Sequence, residues 1–241
     1  MIYTENLKET FDERKRLAKE ISEKFNGSVS MDIWWVEKGS PSLECYFDET
    51  FSAPYLLKKV KEAQGKYDAI VIDCFFEPAI EAAREISNVP VLGPNHSACL
   101  LAYQLSPSFA IISPDRSARR ILMELARKYG YHEKLVSIRY LDTSVLSIEE
   151  NLGELERKAL EESEKAIEEG ADCIVIGCTG LSVLAEKLEK GLREKGYEVP
   201  VIEPLRAAVF NAIFWASLGV CHSKHSYFVP FEKEREVDWR W

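Results

Sequence analysis

The chain has 241 residues, 46% of them hydrophobic, and a formal net charge of −9, which suits one large α/β domain or two smaller similar ones. The negative charge, with acidic and basic residues interspersed, argues against nucleic acid as the main partner. No apolar run reaches the roughly 18 residues needed to cross a bilayer, so no membrane partner is expected. The polar start of the sequence carries no secretory signal, and the cytoplasm is the expected location.

Helical and strand patterns alternate along the first half of the sequence. Apolar residues recur at helical spacing or in short runs, and Gly, Ser and Pro mark the loops between them. The predicted elements are, in chain order, a helix over 5–25, a strand over 28–36, a loop over 39–48, a helix over 54–64, a strand over 69–73, a helix over 78–86 and a helix over 96–103. The strand over 69–73 is a nearly continuous apolar run, as expected for a strand buried on both faces of a parallel sheet.

The second half repeats this alternation. Its predicted elements are a strand over 109–112, a helix over 115–129, a strand over 135–140, a helix over 147–169, a strand over 173–176, a helix over 181–194 and a helix over 205–215. Because strands alternate with helices, the fold class is predicted to be α/β, with parallel sheets flanked by helices and joined by right-handed crossovers.

One stretch of sequence occurs twice. Residues 67–74 and 171–178 share Asp, Ile, Val, Ile and Cys in step, at an offset of 104 residues. Val-Pro-Val follows the first copy and recurs after the second. The repeat predicts two similar half-domains, related by a pseudo-two-fold axis, with an active site between them. Each half would supply one cysteine, Cys74 or Cys178.

The repeat also indicates where the halves divide. We expect residues 1–104 together with 205–220 to form the first half, residues 105–204 the second, and residues 221–241 a C-terminal tail. The second half opens with a strand before its first helix, whereas only Met1-Ile2-Tyr3 occupies that place in the first half. The opening strand of the first half is therefore expected to be short or missing.

Both repeated cysteines end a predicted strand and precede a predicted helix. Ligands of open parallel sheets gather at the carboxyl ends of the strands. A helix N-terminus stabilises a thiolate and lowers the thiol pKa, so Cys74 and Cys178 are the candidate catalytic residues. A single cysteine at the end of a core strand is usually a packing residue, but the repeat makes this interpretation weaker for the pair. A redox disulfide between the two is a further alternative, although the sequence contains no Cys-x-x-Cys motif.

The sequence around each cysteine resembles a known family. Residues 74–78, Cys-Phe-Phe-Glu-Pro, resemble the first-cysteine motif of the hydantoin and allantoin racemases, within the aspartate/glutamate racemase superfamily. Residues 176–180, Ile-Gly-Cys-Thr-Gly, resemble the second-cysteine motif, and residues 42–49 resemble a segment that helps to line the pocket. Glutamate and aspartate racemases usually carry Cys-Asn-Thr at the first cysteine, so Cys-Phe-Phe favours the hydantoin branch.

This resemblance implies a two-base racemisation or epimerisation of a 5-substituted hydantoin or a related cyclic ureide. Cys74 and Cys178 would be the catalytic residues, and no pyridoxal phosphate, nicotinamide, metal or other cofactor is expected. Backbone amides next to the cysteines would hold the oxygen of the developing enolate. The partner is a small-molecule substrate, and a homo-oligomer is expected. The residues implied to contact the substrate are Leu43, Phe75, Phe76, Ser113, Thr179 and Gly180.

Two features depart from the family pattern. The family normally opens with a strand and an Asn-Pro-Asn-Thr turn that reaches the active site, and this chain begins near that turn. Ser113-Pro114 occurs where the family often has two threonines, so one hydroxyl is kept and the other is lost.

Other functions stay open at this point. Aspartate or glutamate racemisation, maleate isomerisation and arylmalonate decarboxylation are reactions of the same superfamily. A decarboxylase of this kind uses only the second cysteine, so Cys74 argues against it. From another class, the chain could be a catalytically silent binder of a small molecule, because a fold alone does not fix a function.

Overall fold

The computed structural model describes residues 8–233, with the backbone alone described for 8–10. Within that range the chain alternates strands and helices. The helices are α1 Lys8–Lys24, α2 Tyr46–Glu62, α3 Ile80–Ile86, α4 Pro94–Leu105, α5 Arg119–Lys128, α6 Leu152–Glu168, α7 Ala185–Glu194 and α8 Pro204–Leu218. The strands are β1 Ile70–Val71, β2 Val91–Leu92, β3 Phe109–Ser113, β4 Leu135–Tyr140, β5 Ile174–Ile176 and β6 Val201–Ile202.

The strands form two parallel sheets. In the first half β1 pairs with β2, and in the second half the order is β4-β3-β5-β6. Every ladder between these strands is parallel. The predicted α/β fold of two halves, each with a parallel sheet flanked by helices, is therefore confirmed.

The sheet of the second half is buried on both faces. Phe109 and Ile111 of β3 pack with α4 and α5 on one face, while Ala110 and Ile112 pack with α6 and α7 on the other. This alternation follows from the strand geometry, in which successive side chains point to opposite faces. Two apolar faces explain why β3 is a continuous apolar run.

The first half has the same layers around a smaller sheet. Ile72, which follows β1, packs with Val91 of β2 and with residues of α2 and α3. On the other face Val71 packs against a cluster formed by α1 and α8, which includes Ile21 and Val209. Helices thus cover β1 on both sides.

The predicted strand over 28–36 is wrong. This segment is extended, but it pairs with no strand among the described residues. A strand is held by a ladder of hydrogen bonds to a neighbour, and alternating side chains alone do not supply one. Residues 28–34 and residues 68–73, which include β1, line the same groove.

Several helix boundaries also differ from the prediction. Helix α2 begins at Tyr46 and not at residue 54, so Pro54 lies inside the helix and part of the predicted loop is helical. Helix α6 begins at Leu152, because two short 3₁₀ turns occupy residues 145–151. The helix predicted from residue 5 is described only from Lys8 onwards, and residues 5–7 lie outside the described range.

The start of the C-terminal tail packs on the first half. The backbone N–H of Val91 donates to Nε2 of His222 at 2.9 Å, and Lys224 donates to the carbonyl of Arg84 at 2.9 Å. Residues 234–241 lie outside the described range. The proposed division of the chain into halves and a tail stays a prediction. No helix among residues 8–233 is long and apolar enough to cross a membrane.

Candidate active site

The two repeated cysteines line one cavity at the carboxyl ends of the strands. Cys74 follows β1, and Cys178 follows β5. Both thiols are half-buried and free, and both line a cavity of about 90 Å³. The topology explains this meeting, because β1 and β5 end at the same crevice.

Most of the predicted contact residues also line this cavity. Leu43, Phe75 and Phe76 contribute from the first half, while Thr179 and Gly180 contribute from the second. Ser113 does not line the cavity, although the next residue, Pro114, does. Ser113 is fully buried, and its hydroxyl has no hydrogen-bond partner among the described residues. The roles of all these residues stay predictions.

The turn that carries Cys178 requires glycine at position 177. A Cβ atom on Gly177 would lie 2.6 Å from Cγ2 of Ile111 and 2.8 Å from the carbonyl oxygen of Ile112. The Gly177 N–H donates to the same Ile112 oxygen at 2.7 Å. Strand β3 therefore packs directly against this glycine and fixes the position of the next residue, Cys178.

Cys178 caps a short 3₁₀ helix, Thr179–Leu184. Its sulfur accepts a hydrogen bond from the Gly180 N–H at 3.3 Å. Burial is the larger influence and raises the pKa of Cys178 to about 11, although the amides of Gly180 and Leu181 lower it. The expectation that a helix start would lower this pKa is correct for the amides, but the loss of water outweighs them.

Cys74 has a different setting from the one predicted. Helix α3 begins at Ile80, so a turn follows Cys74 where a helix start was expected. Burial raises the pKa of the Cys74 thiol, the Phe76 amide lowers it, and the nearby Cys178 and Glu49 raise it again. In this structure Cys74 is therefore the harder of the two thiols to ionise.

The backbone amides next to the two cysteines donate hydrogen bonds to the sulfur atoms. Gly180 donates to Cys178, and the Phe76 amide hydrogen-bonds to Cys74. The family resemblance implies that these amides hold a substrate oxygen. In the structure their hydrogen bonds go to the thiols, where they stabilise negative charge on sulfur.

Arg14 joins the loops of the two cysteines, a role that the sequence prediction missed. Its side chain is only 2% exposed, and its Nε donates to Asp73 at 2.9 Å. One of its terminal nitrogens donates to the Thr179 carbonyl at 2.8 Å. Arg14 therefore contacts the residue before Cys74 and the residue after Cys178. A signal was available, because residue 14 lies three positions from both Phe11 and Leu17 on the apolar stripe of the predicted helix.

Glu77 braces the turn that follows Cys74. Its backbone has a φ of 55°, in the left-handed region, and its side chain is buried. The carboxylate accepts hydrogen bonds from the His96 N–H at 2.7 Å and from the Tyr129 hydroxyl. His96 stacks on Tyr129 with 4.1 Å between the ring centres, and burial lowers the pKa of His96 to about 4. This cluster ties the turn of the first half to α5 of the second.

Comparisons with known proteins place the chain among racemases. The family model for Asp/Glu/Hydantoin racemase matches residues 7–212. The chain is 37% identical over 193 residues to the hydantoin racemase of Rhizobium meliloti, with 78% of each chain covered. It is 33% identical over 205 residues to the hydantoin racemase of Paenarthrobacter aurescens, with 82% of this chain and 83% of that one covered.

Among solved structures, the chain is similar to the allantoin racemase from Klebsiella pneumoniae, with a TM-score of 0.79 and 30% identity over 85% of this chain and 82% of that one. The resemblance read from the cysteine motifs is confirmed.

Proposed function

The chain belongs to the Asp/Glu/hydantoin racemase family, and from this premise we propose that it racemises a 5-substituted hydantoin or a related cyclic ureide without a cofactor. One observation carries the proposal. The two half-domains each supply one free thiol, Cys74 or Cys178, to the same cavity. Racemisation needs an acid and a base on opposite faces of one carbon, and two thiols from two related halves meet that need.

Cys178 is the base for one enantiomer, acting from its thiolate, which is a minor form at neutral pH. Its thiolate takes the proton from C5, and the electron pair moves to the neighbouring carbonyl oxygen to give an enolate. Cys74 then donates its own proton to the opposite face of C5. The cycle leaves Cys178 as a thiol and Cys74 as a thiolate, which is the state that processes the opposite enantiomer.

The electrostatic setting supports this starting state. The Arg14 guanidinium and the amides of Gly180 and Leu181 lower the pKa of Cys178, whereas Glu49 and Cys178 itself raise the pKa of Cys74. Negative charge on one sulfur disfavours charge on the other, so the pair titrates as a coupled unit. One thiolate facing one thiol is the state in which the two-base reaction begins.

The cavity wall supports a neutral, planar ring as the substrate. Leu43, Phe75 and Phe76 make one side of the cavity apolar. These three side chains offer no polar partner to the ammonium group of a free amino acid, whereas Glu44, Asp115 and Glu149 elsewhere in the lining do, so the apolar side favours a neutral ring and does not exclude an amino acid. The volume of about 90 Å³ is far below the 300–1,000 Å³ typical of sites for larger ligands. A five-membered ring therefore suits the enclosed part, with its C5 substituent towards the opening.

The proposal is tested by proton NMR of single-enantiomer 5-benzylhydantoin in deuterated water, together with optical rotation. With the unaltered chain, the hydantoin should lose its C5 proton signal and its optical rotation. The same is expected with Cys221→Ser, a change at an exposed thiol of the tail. Cys74→Ser and Cys178→Ser should each lower the racemisation rate by about 10²–10⁴-fold. A sample without enzyme corrects for spontaneous exchange.

Three outcomes would contradict the proposal. Absence of exchange above the background, with the hydantoin bound, would indicate a catalytically silent binder. Release of carbon dioxide from an arylmalonate would indicate a decarboxylase. Full racemisation by either cysteine variant would exclude the two-thiol mechanism.

The exposed face of α4 and α8 supports a homo-oligomer. Leu100, Leu101 and Tyr103 of α4 are exposed, as are Phe214 and Leu218 of α8. Helices α4 and α8 lie side by side, since Asn211 donates to Ser97 at 3.2 Å. Adjacent exposed apolar side chains of this kind mark contact surfaces between subunits.

A further inference from the structure

The turn after each cysteine is closed by the same backbone hydrogen bond. The Glu77 N–H donates to the Cys74 carbonyl at 2.9 Å, and the Leu181 N–H donates to the Cys178 carbonyl at 3.0 Å. Glu77 and Leu181 are both buried, and they are separated by the same 104 residues as the two cysteines. The repeat therefore extends into these turns, yet it places a buried carboxylate in one turn and an apolar side chain in the other.

In the first half, the carboxylate of Glu77 caps helix α4. The residue at the start of that helix, Gly93, has no side chain to cap it. Oε1 of Glu77 accepts a hydrogen bond from the His96 N–H at 2.7 Å, and His96 is the third residue of the helix. A polar side chain at the start of a helix normally accepts from this N–H. Here the acceptor comes from the cysteine turn.

In the second half, helix α8 is capped by its own preceding residue, Glu203. The two Val-Pro-Val stretches start 110 residues apart, and at this offset Glu203 corresponds to Gly93. Glu203 accepts hydrogen bonds from the Leu205 N–H at 2.8 Å and the Arg206 N–H at 2.6 Å. Arg206 corresponds to His96 at the same offset. Equivalent helix amides thus bind a carboxylate in both halves, but the carboxylate comes from a different position in each.

Both carboxylates connect a helix to a cysteine turn. Glu77 belongs to the Cys74 turn itself. Glu203 accepts a hydrogen bond from the Ser182 hydroxyl, and Ser182 lies in the short 3₁₀ helix that Cys178 caps. In each half, one carboxylate therefore ties the cysteine turn to the N-terminus of the helix that follows the next strand. A negative charge at a helix N-terminus is favourable, which strengthens both ties.

The first half has room for only one such carboxylate. A Cβ atom on Gly93 would overlap Oε1 and Cδ of Glu77. Gly93 has a φ of −119°, which any residue adopts, so glycine is needed there for space and not for backbone conformation. The pair Glu77 with Gly93 and the pair Leu181 with Glu203 are two alternative ways to build the same connection.

We propose that Glu77 and Glu203 are equivalent positioning residues, Glu77 for Cys74 and Glu203 for Cys178. Neither is among the described residues that line the cavity of the two cysteines, so each acts through its turn. The proposal rests on the two-thiol function proposed above, in which each sulfur must face one side of the same carbon. Small displacements of a reacting group are costly in rate, so loss of one carboxylate should impair one thiol and spare the other.

Thiol labelling tests this without any substrate. The initial rates of iodoacetamide alkylation at Cys74 and Cys178 in the folded protein are measured by peptide mass spectrometry, with the exposed Cys221 as the internal reference. Glu77→Leu, which copies Leu181, should speed alkylation of Cys74 at least about fivefold, because a released turn opens more often and exposes its thiol. Glu203→Leu should do the same for Cys178. Each change should leave the other thiol at its original rate.

Two further sets of variants are matched to these changes. Glu77→Gln and Glu203→Gln keep an acceptor oxygen, so each should affect the same thiol as the Leu change but less strongly; they also give the comparison if a Leu variant does not fold. The double variant Glu77→Leu with Gly93→Glu rebuilds the arrangement of the second half in the first. It should return the labelling of Cys74 towards the original rate. Gly93→Glu alone, which crowds two carboxylates together, should not.

Catalysis gives a second readout in deuterated water. With Glu77→Leu, the hydantoin enantiomer that Cys178 deprotonates should still exchange its C5 proton, while its inversion slows at least about tenfold. Glu203→Leu should show this for the opposite enantiomer. Equal acceleration of labelling at both thiols by either change, or no acceleration at either thiol, would overturn the positioning roles. Absence of C5 exchange with the unaltered chain would contradict the proposed function instead, and the labelling result would still stand.

Discussion

Two chemically identical side chains acquire different properties from their surroundings. Cys178 has the Gly180 N–H at 3.3 Å and the positive charge of Arg14 nearby, while Cys74 faces Glu49 and Cys178. Burial raises the pKa of both thiols, and the local groups then separate them. This asymmetry makes Cys178 the first of the two thiols to ionise, and the reactive form of the site then holds one base and one acid.

The pH dependence of activity follows from the raised thiol pKa. Burial raises the pKa of Cys178 to about 11, so the thiolate is a minor form at neutral pH and its fraction grows as pH rises. We expect kcat/KM for a hydantoin to rise by up to about tenfold per pH unit above pH 7, and to fall once Cys74 also ionises. A pH–rate profile measures this, with Cys221→Ser as the reference. A profile that falls between pH 7 and 9 would contradict the assignment.

Arg14 is expected to act as a positioning residue for both cysteine loops. Arg14→Gln removes the charge that lowers the pKa of Cys178 and leaves Asp73 buried without its ion pair. The rising limb of the pH–rate profile should therefore move to higher pH, and the free energy of unfolding should fall by about 3–5 kcal/mol.

Arg14→Lys is the matched control for this change. It keeps the positive charge but loses the hydrogen bonds that two guanidinium nitrogens make to Asp73. Its pH profile should stay closer to that of the unaltered chain. If urea unfolding and the pH profiles of the Gln and Lys variants are the same, Arg14 has only a packing role.

At the scale of elements, the tight contact between β3 and the turn after β5 places Cys178. Gly177→Ala would put a methyl group against Ile111 and the Ile112 carbonyl, which is a contact with backbone that cannot move easily. We expect a loss of about 1–3 kcal/mol in the free energy of unfolding, with lower activity.

Gly153 provides the control for the glycine change. It lies at the start of α6, and a Cβ atom there meets nothing within 4 Å. Gly153→Ala should stabilise the chain by about 0.5–1 kcal/mol, since alanine restricts the unfolded state. Chemical denaturation of both variants measures the difference, and equal stabilities would contradict the packing argument.

The sequence predicted elements well where local pattern decides the structure, and less well where distant contacts do. The repeat located both thiols at strand ends, and β3, β4 and β5 lie close to their predicted positions. The strand over 28–36 was wrong because its pairing depends on a neighbour that no local pattern supplies. Arg14 was missed because its partner Thr179 is 165 residues away in the chain. The raised thiol pKa values likewise depend on burial by both halves.

At the scale of the whole molecule, the exposed apolar face of α4 and α8 predicts self-association. Phe214 is 58% exposed on this face. Phe214→Asp should move the protein to a smaller species in analytical ultracentrifugation, because a charge is costly in an apolar interface. Val229→Asp, at an exposed residue of the tail, should leave the sedimentation unchanged. A monomeric unaltered chain would contradict the prediction.

In the pseudo-two-fold arrangement, each half is expected to act on one face of the substrate. The direct test is to incubate each enantiomer of 5-benzylhydantoin separately with Cys74→Ser and with Cys178→Ser in deuterated water. We expect each variant to exchange the C5 proton of one enantiomer without inverting it, and the two variants to act on opposite enantiomers. Exchange of the same enantiomer by both variants, or inversion by either one at the rate of the unaltered chain, would contradict this mechanism.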